Sequence, residues 1–249
     1  MPRCLVLGGT GEASALAAAL AARGIAAVLS YAGRTAAPRA QPVPVRIGGF
    51  GGADGLAAYL RAERISHVVD ATHAFAAQIS AHAVTAAAAA GVPLLALTRP
   101  AWRPQPGDRW RAVADIAAAV AALAGAQRRV MLALGRMHVA AFAAQPQHFY
   151  LLRFIEPAPL PPPLPDHTLL VARGPFTAES EAALMRAHGI DLVVAKNAGG
   201  DGAIAKLEAA RALGLPVLMI DRPVLPPRAE VETVAAVLRW LDHAADRGV

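Results

Sequence analysis

The sequence contains one cysteine, Cys4, so no internal disulfide can form. A chain without a disulfide framework fits a reducing cytoplasm. Cys4 sits in a short apolar run and reads as a small buried residue. No basic start followed by an apolar stretch occurs, so no secretory signal is expected. No run of about 18 apolar residues free of charge occurs either, so no membrane-spanning helix is expected. The formal charge is +6, with arginine far in excess of lysine. Yet there is no basic block and no basic–aromatic alternation, which argues against a nucleic-acid partner. The arginines stand singly near expected loop starts and suit an anionic small molecule. His67, His138 and His148 lack metal-ligand spacing, so no metal is assigned. A tyrosinate alcohol dehydrogenase needs Tyr-x-x-x-Lys, but Tyr31 is followed by Thr35, Tyr59 by Glu63 and Tyr150 by Phe154. Neither a G-x-S-x-G elbow nor a Walker lysine loop is present.

What is there begins at the N-terminus. The first fourteen residues read MPRCLVLGGTGEAS: an apolar run, a glycine turn, then a long Ala/Leu stretch with helical spacing. Glycines in such a turn let the backbone bend sharply and approach a ligand closely. The N–H groups at the helix start then face an anion, usually a phosphate. Gly8, Gly9, Thr10, Gly11 and Glu12 are the candidate nucleotide-binding residues. The spacing Gly9-x-Gly11-x-x-Ser14 departs from the full dinucleotide fingerprint at its third position, so a plain strand–helix turn is the competing reading.

With 249 residues, the chain is long enough for one large or two small domains. The first hundred residues alternate apolar runs with helical stretches. Strands are expected over 25–30, 42–47, 65–69 and 92–97, with helices over 12–22 and 75–90 and another begun by a cap at Asp54. This grammar argues for a parallel sheet with helices on both faces. A boundary is expected at 98–101, followed by an aperiodic Pro/Trp-rich stretch to 111. The grammar then restarts, interrupted by a loop with six prolines at 157–165, and ends in an amphipathic helix over 231–245. The expected fold class is α/β: two Rossmann-like halves, 1–98 and 99–249, each with a parallel sheet, and a cleft between them. Glycine and polar clusters fall at the carboxyl ends of the strands, where open α/β sheets bind ligands.

Four clusters stand out there. After the second strand, where an NAD site places a carboxylate, the chain has Ser30, Gly33, Arg34 and Thr35. Serine and arginine favour a 2′-phosphate and point to NADPH over NADH. Gly49 lies in the next glycine cluster. Asp70-Ala71-Thr72-His73 ends the fourth strand; Asp70 could orient backbone amides, and His73 could touch substrate or pyrophosphate. Capping by Asp70 or Thr72 is the ordinary alternative. Asp70 and His73 are the catalytic candidates. In the second half, Lys196-Asn197-Ala198-Gly199-Gly200 is another glycine loop, and Lys206 lies on the helix that follows. With Arg136 and Arg173 these are the substrate-binding candidates, against capping and surface charge.

Taken together, these segments resemble the precorrin-6A reductase family of cobalamin biosynthesis. The resemblance runs along nearly the whole chain: Leu7-Gly-Gly-Thr-Gly-Glu-Ala13, Ala32-Gly-Arg-Thr35, Arg46-Ile-Gly-Gly-Phe-Gly-Gly52, Val69-Asp-Ala-Thr-His-Ala-Phe-Ala-Ala-Gln-Ile-Ser80, Arg99-Pro-Ala-Trp102, Arg173-Gly-Pro-Phe176, Lys196-Asn-Ala-Gly-Gly200 and Ala205-Lys206. Ala74 replaces an expected proline and Ala198 a frequent serine. The resemblance implies hydride transfer from NADPH to a macrocycle double bond and a large, flat, polycarboxylate tetrapyrrole as substrate. A conjugated imine-like system accepts hydride without a strong general acid, so water could supply the proton. The cobalt-containing counterpart of the anaerobic route resembles the same family and implies NADH instead. The glycine fingerprint by itself also suits a non-catalytic NADP-sensing protein. The sequence leaves the oligomeric state open.

Overall fold

In the computed structural model, which describes residues 2–33, 40–157 and 160–245, the chain alternates strands and helices almost throughout. The elements run β1 (Arg3–Leu7), α1 (Gly11–Ala22), β2 (Ala26–Tyr31), β3 (Val45–Ile47), α2 (Gly52–Ala62), β4 (His67–Asp70), α3 (Ala77–Ala90) and β5 (Leu94–Leu97). They continue with β6 (Arg109–Val113), α4 (Ile116–Ala121), β7 (Arg129–Ala133), a 3₁₀ segment (Arg136–Ala144), β8 (Phe149–Phe154), β9 (His167–Val171), α5 (Ala178–Ala187) and β10 (Leu192–Lys196). A 3₁₀ turn (Asp201–Ala203), α6 (Ala205–Ala212), β11 (Pro216–Ile220), β12 (Ala229–Val231) and α7 (Val234–Ala245) follow. Two compact units result: Met1–Arg99 with Val224–Val249, and Pro100–Pro223.

The first unit is a six-stranded sheet of order β12-β5-β4-β1-β2-β3, parallel throughout. Side chains alternate along β1, and each face gathers its own core. Cys4 and Val6 pack with Leu16 and Leu20 of α1 and Val237 and Leu241 of α7. Leu5 and Leu7 pack on the other face with Leu56 and Leu60 of α2 and Ala83 and Ala86 of α3. The buried Cys4 thiol is pushed up to about 12 by desolvation, so it is inert as a nucleophile. Helix α2 starts differently from expectation. Its N-cap is Gly51 at φ +80°, and Asp54 lies inside the first turn, where its charge meets the helix dipole without capping.

The second unit is a six-stranded sheet of order β6-β11-β10-β7-β8-β9, also parallel. Met131, Leu151, Val193 and Met219 face Ala182 and Met185 of α5 and Leu207 and Ala210 of α6. After β7 the chain runs through the 3₁₀ segment. It buries Val139 and Phe142, and Tyr150 Oη donates to Gln145 O at its end, 2.8 Å away.

Two strands differ from the sequence expectation. The aperiodic stretch contains β6, which pairs with β11 of the second sheet. The C-terminal segment, assigned by sequence to the second half, instead pairs through β12 with β5 of the first sheet, and α7 packs on α1. The first unit thus takes its sixth strand from a segment that returns after the whole second unit, whereas the second unit is built from one continuous stretch that opens with β6.

Candidate active site

In the first sheet the chain order reverses between β1 and β4, with β2 and β3 to one side and β5 and β12 to the other. Such a switch point opens a crevice at the carboxyl ends of the strands. Two loops border it here: the glycine turn after β1 and residues 71–76 after β4. At Gly8 a Cβ would lie 2.7 Å from Leu29 Cδ1, and Gly8 N–H donates to Ser30 O at 2.9 Å, so a side chain here would have to displace the buried Leu29 of β2. Gly9 has φ +122°, and a Cβ added at Gly9 or Gly11 would meet nothing within 4 Å, so both face open space. Thr10 is the N-cap of α1. Its hydroxyl accepts from Ala13 N–H at 3.1 Å and donates to Ala71 O at 2.8 Å, joining the two loops. An open glycine turn leading into a capped helix N-terminus fits the pyrophosphate of a dinucleotide.

Glu12, in the first turn of α1, is held by Arg99 at two points, Nε to Oε1 at 2.7 Å and Nη2 to Oε2 at 2.5 Å. Asp70 is fully buried at the end of β4. Its Oδ1 accepts from Thr72 N–H at 3.1 Å and Thr72 Oγ1 at 2.7 Å, and its Oδ2 accepts from Arg228 Nη1. With both oxygens engaged, Asp70 orients backbone and has no open face for a ligand. Breaking such a buried pair by removing one partner costs about 3–5 kcal/mol. His73 differs: it is exposed at the rim, its Nδ1 accepting from Phe75 N–H at 3.2 Å.

At the β2–β3 edge, Ser30 is buried and stands in register with Arg46. Arg46 Nη1 is 3.5 Å from Ser30 Oγ and 2.5 Å from Gly48 O, and Nη2 donates to Gly49 O at 2.7 Å. Its guanidinium lies 3.8 Å above the Phe50 ring. Among the described residues, no carboxylate lies within ion-pair distance of it. Gly33, at φ +77°, packs against Ile47 and Gly48. Arg34 and Thr35 lie outside the described residues. Arg46 escaped the sequence reading of the site because it precedes its glycine cluster and its role depends on strand register. Gly49, by contrast, serves through its carbonyl.

In the second unit the loop after β10 is built largely for internal packing. Asn197 Oδ1 accepts from Trp102 N–H at 2.8 Å, and its Nδ2 donates to Trp102 O at 3.0 Å. A Cβ on Gly199 would fall 2.1 Å from Pro100 O, and Gly200 O accepts from Trp102 Nε1 at 2.9 Å. The helix expected to open at this loop begins only at Ala205, after the 3₁₀ turn. Lys206 Nζ donates to Ala203 O at 2.6 Å and lies 5.3 Å from the centre of the Trp102 ring. Burial pushes its ammonium down to about 8, against the raising influence of Glu181. Lys206 lines a cavity of about 100 Å³ with Arg153, Glu181 and Phe176. Arg153 pairs with the buried Glu181 and stacks 3.7 Å over Phe176. Arg136 and Arg173 are exposed after β7 and β9, with Arg173 Nη2 3.6 Å from Glu156 Oε1; Lys196 ends β10 half-buried.

The sequence profile of the family described as Precorrin-6x reductase CbiJ/CobK matches residues 3–242. A precorrin-6A reductase of Rhodobacter capsulatus is 59% identical over 251 residues, covering 100% of both chains. One of Rhodococcus erythropolis is 53% identical over 243 residues, covering 97% of this chain and 98% of the relative. A cobalt-precorrin-6A reductase of Priestia megaterium is 28% identical over 254 residues, covering 96% of each. Among solved structures, CobK precorrin-6A reductase superposes with a TM-score of 0.93 at 58% identity, covering 100% of this chain and 98% of that one. Parallel sheet order, glycine turn and full-length similarity agree, and the chain belongs to the precorrin-6x reductase family.

Proposed function

We propose that this chain reduces a ring double bond of precorrin-6A with NADPH, giving the dihydro macrocycle in cobalamin biosynthesis in the cytoplasm. The first unit holds the cofactor and the second binds the tetrapyrrole. Bound NADPH supplies a hydride to one ring carbon, while a proton joins its neighbour. The glycine turn and the N-terminus of α1 take the pyrophosphate, with Thr10 fixing the turn against β4. Arg46 and Ser30 take the 2′-phosphate, the role that the sequence also suggests for Arg34. The observation that carries the NADPH preference is Arg46, a cation held by two carbonyls and an aromatic face, with no carboxylate among the described residues to neutralise it. Gly33 shapes the same edge, and the sequence adds Thr35 as a further candidate.

In the second unit Lys206 and Arg153 receive a substrate carboxylate, and Arg136, Arg173 and Lys196 add cations for others. Asn197, Gly199 and Gly200 position this loop. Asp70 is committed to Arg228 and Thr72, so of the two catalytic candidates we assign ligand contact to the exposed His73. Water supplies the proton.

Cofactor titration with Arg46→Ala tests this reading. Losing charge-assisted hydrogen bonds worth about 1.5–3 kcal/mol should weaken NADPH roughly 10- to 100-fold. NADH should change little. NADH binding the wild type as tightly as NADPH overturns the preference and favours the cobalt-containing substrate. NADPH binding without oxidation in the presence of precorrin-6A favours a sensing role.

A further inference from the structure

Arg228 lies 158 positions from Asp70 in sequence, just past the point where the chain rejoins the first unit and just before β12. Its side chain is 8% exposed and that of Asp70 0%. We propose that Arg228 is a positioning residue: through Asp70 it holds residues 71–76 in the shape that receives the nicotinamide half of the cofactor. The proposal rests on the reading of this crevice as a dinucleotide site.

Asp70 is in register with Leu7, so the turn after β4 starts beside the glycine turn. The Asp70 carboxylate divides its two oxygens. Oδ1 fixes the backbone and hydroxyl of Thr72, and Oδ2 takes the guanidinium. Thr72 Oγ1 also meets Ser80 Oγ of α3 at 3.2 Å, and Ala71 O receives Thr10. Three elements therefore converge on residues 70–72. Arg228 is itself aimed from a second side, its Nε donating to Glu230 Oε1 at 3.0 Å. Without the guanidinium, a buried carboxylate has no counter-charge. It must take up a proton or turn toward water. Either change releases Thr72 and with it the loop, while the sheet beneath keeps its ladder. Apolar pairs can replace buried ion pairs at little cost in stability. What the charges supply here is therefore direction.

The test compares binding of NADPH with that of 2′,5′-ADP, which lacks the nicotinamide half, alongside thermal unfolding. The variants are Arg228→Met, Arg228→Lys and the apolar double variant Asp70→Leu/Arg228→Met. Arg228→Met should weaken NADPH by about tenfold or more and leave 2′,5′-ADP within about twofold, since misplacement acts at one end of the ligand. Arg228→Lys should recover much of the loss. The double variant should regain thermal stability without regaining NADPH affinity, and it carries the test alone if Arg228→Met does not fold. Parallel weakening of both ligands, or joint recovery of stability and affinity in the double variant, overturns the proposal. Wild-type protein that binds neither ligand overturns the dinucleotide reading, and this proposal with it. Wild-type binding with an unaffected Arg228→Met overturns the proposal alone.

Discussion

Arg99 closes a two-point ion pair on Glu12 in the first turn of α1, beside the glycine turn. Burial alone would raise the Glu12 carboxyl. The hydrogen bonds and charge of Arg99, with backbone N–H donation, outweigh it and hold Glu12 below the usual carboxylate range. Glu12 is therefore ionised at neutral pH, within the first turn that the proposed function assigns to a pyrophosphate. A bare carboxylate there suits the helix dipole but repels an anionic ligand; Arg99 removes the repulsion.

Arg99→Ala should accordingly weaken NADPH by about tenfold, or about 1.4 kcal/mol, because the like charges are then opposed but remain partly exposed to solvent. Glu12→Gln/Arg99→Ala should bind better than Arg99→Ala alone. Titration of the three proteins measures this. Equal weakening in the single and double variants would mean that Arg99 acts through packing and not through charge.

Lys206 gives a pH dependence of defined sign. Its folded value of about 8 lies below that of an unfolded lysine. The charged form is therefore disfavoured by folding, and the penalty, full below about pH 8, fades as pH rises past it. Carboxylate binding needs the charged form and should follow the opposite course. The KM for the tetrapyrrole should rise as pH passes through about 8, while NADPH binding stays level. In Lys206→Arg the rise should vanish, because guanidinium does not titrate there. Steady-state kinetics across this range decide it.

His67 makes stability depend on pH in the acid direction. The ring is buried edge-on to Trp240 with centroids 5.1 Å apart, and its Nε2 has no hydrogen-bond partner among the described residues. Desolvation lowers its pKa. The unfolded chain thus takes up this proton at a higher pH than the folded one. Stability is full above the unfolded value and falls as pH drops toward the folded one. Melting temperature between about pH 7 and about pH 5 should fall more steeply for wild type than for His67→Phe. Parallel curves would remove His67 from the account.

Much of the local framework around the candidate site was legible. The run from Cys4 to Ser14 contains its strand, its sharp turn and its helix start, because apolar runs, glycine and a capping threonine act over a few residues. The Asp70–His73 cluster was legible as a strand end, and Asp70 as a residue able to orient backbone amides, but its partner was not. Its carboxylate is spent on Arg228, a partner that no spacing rule connects to it. Arg46 was likewise hidden, since its place beside Ser30 follows from the pairing of β2 with β3. Asn197 and Gly199 looked like ligand residues, yet they meet the backbone of Trp102 and Pro100, contacts made across nearly a hundred positions.

The sequence by itself determined the alternation of strands and helices, the parallel sheets this alternation requires and the glycine turn. All of these rest on side-chain periodicity and local backbone freedom. Only the tertiary structure decided where the two edge strands go. β6 reads Arg-Trp-Arg-Ala-Val and β12 Ala-Glu-Val, without the apolar run that marks a buried strand. Backbone ladders at the open edges of two parallel sheets offer the same hydrogen bonds, so the local sequence of an edge strand does not choose between them. The choice falls to long-range contacts: α7 packing on α1, and Arg228 paired with Asp70 beside the strand that follows.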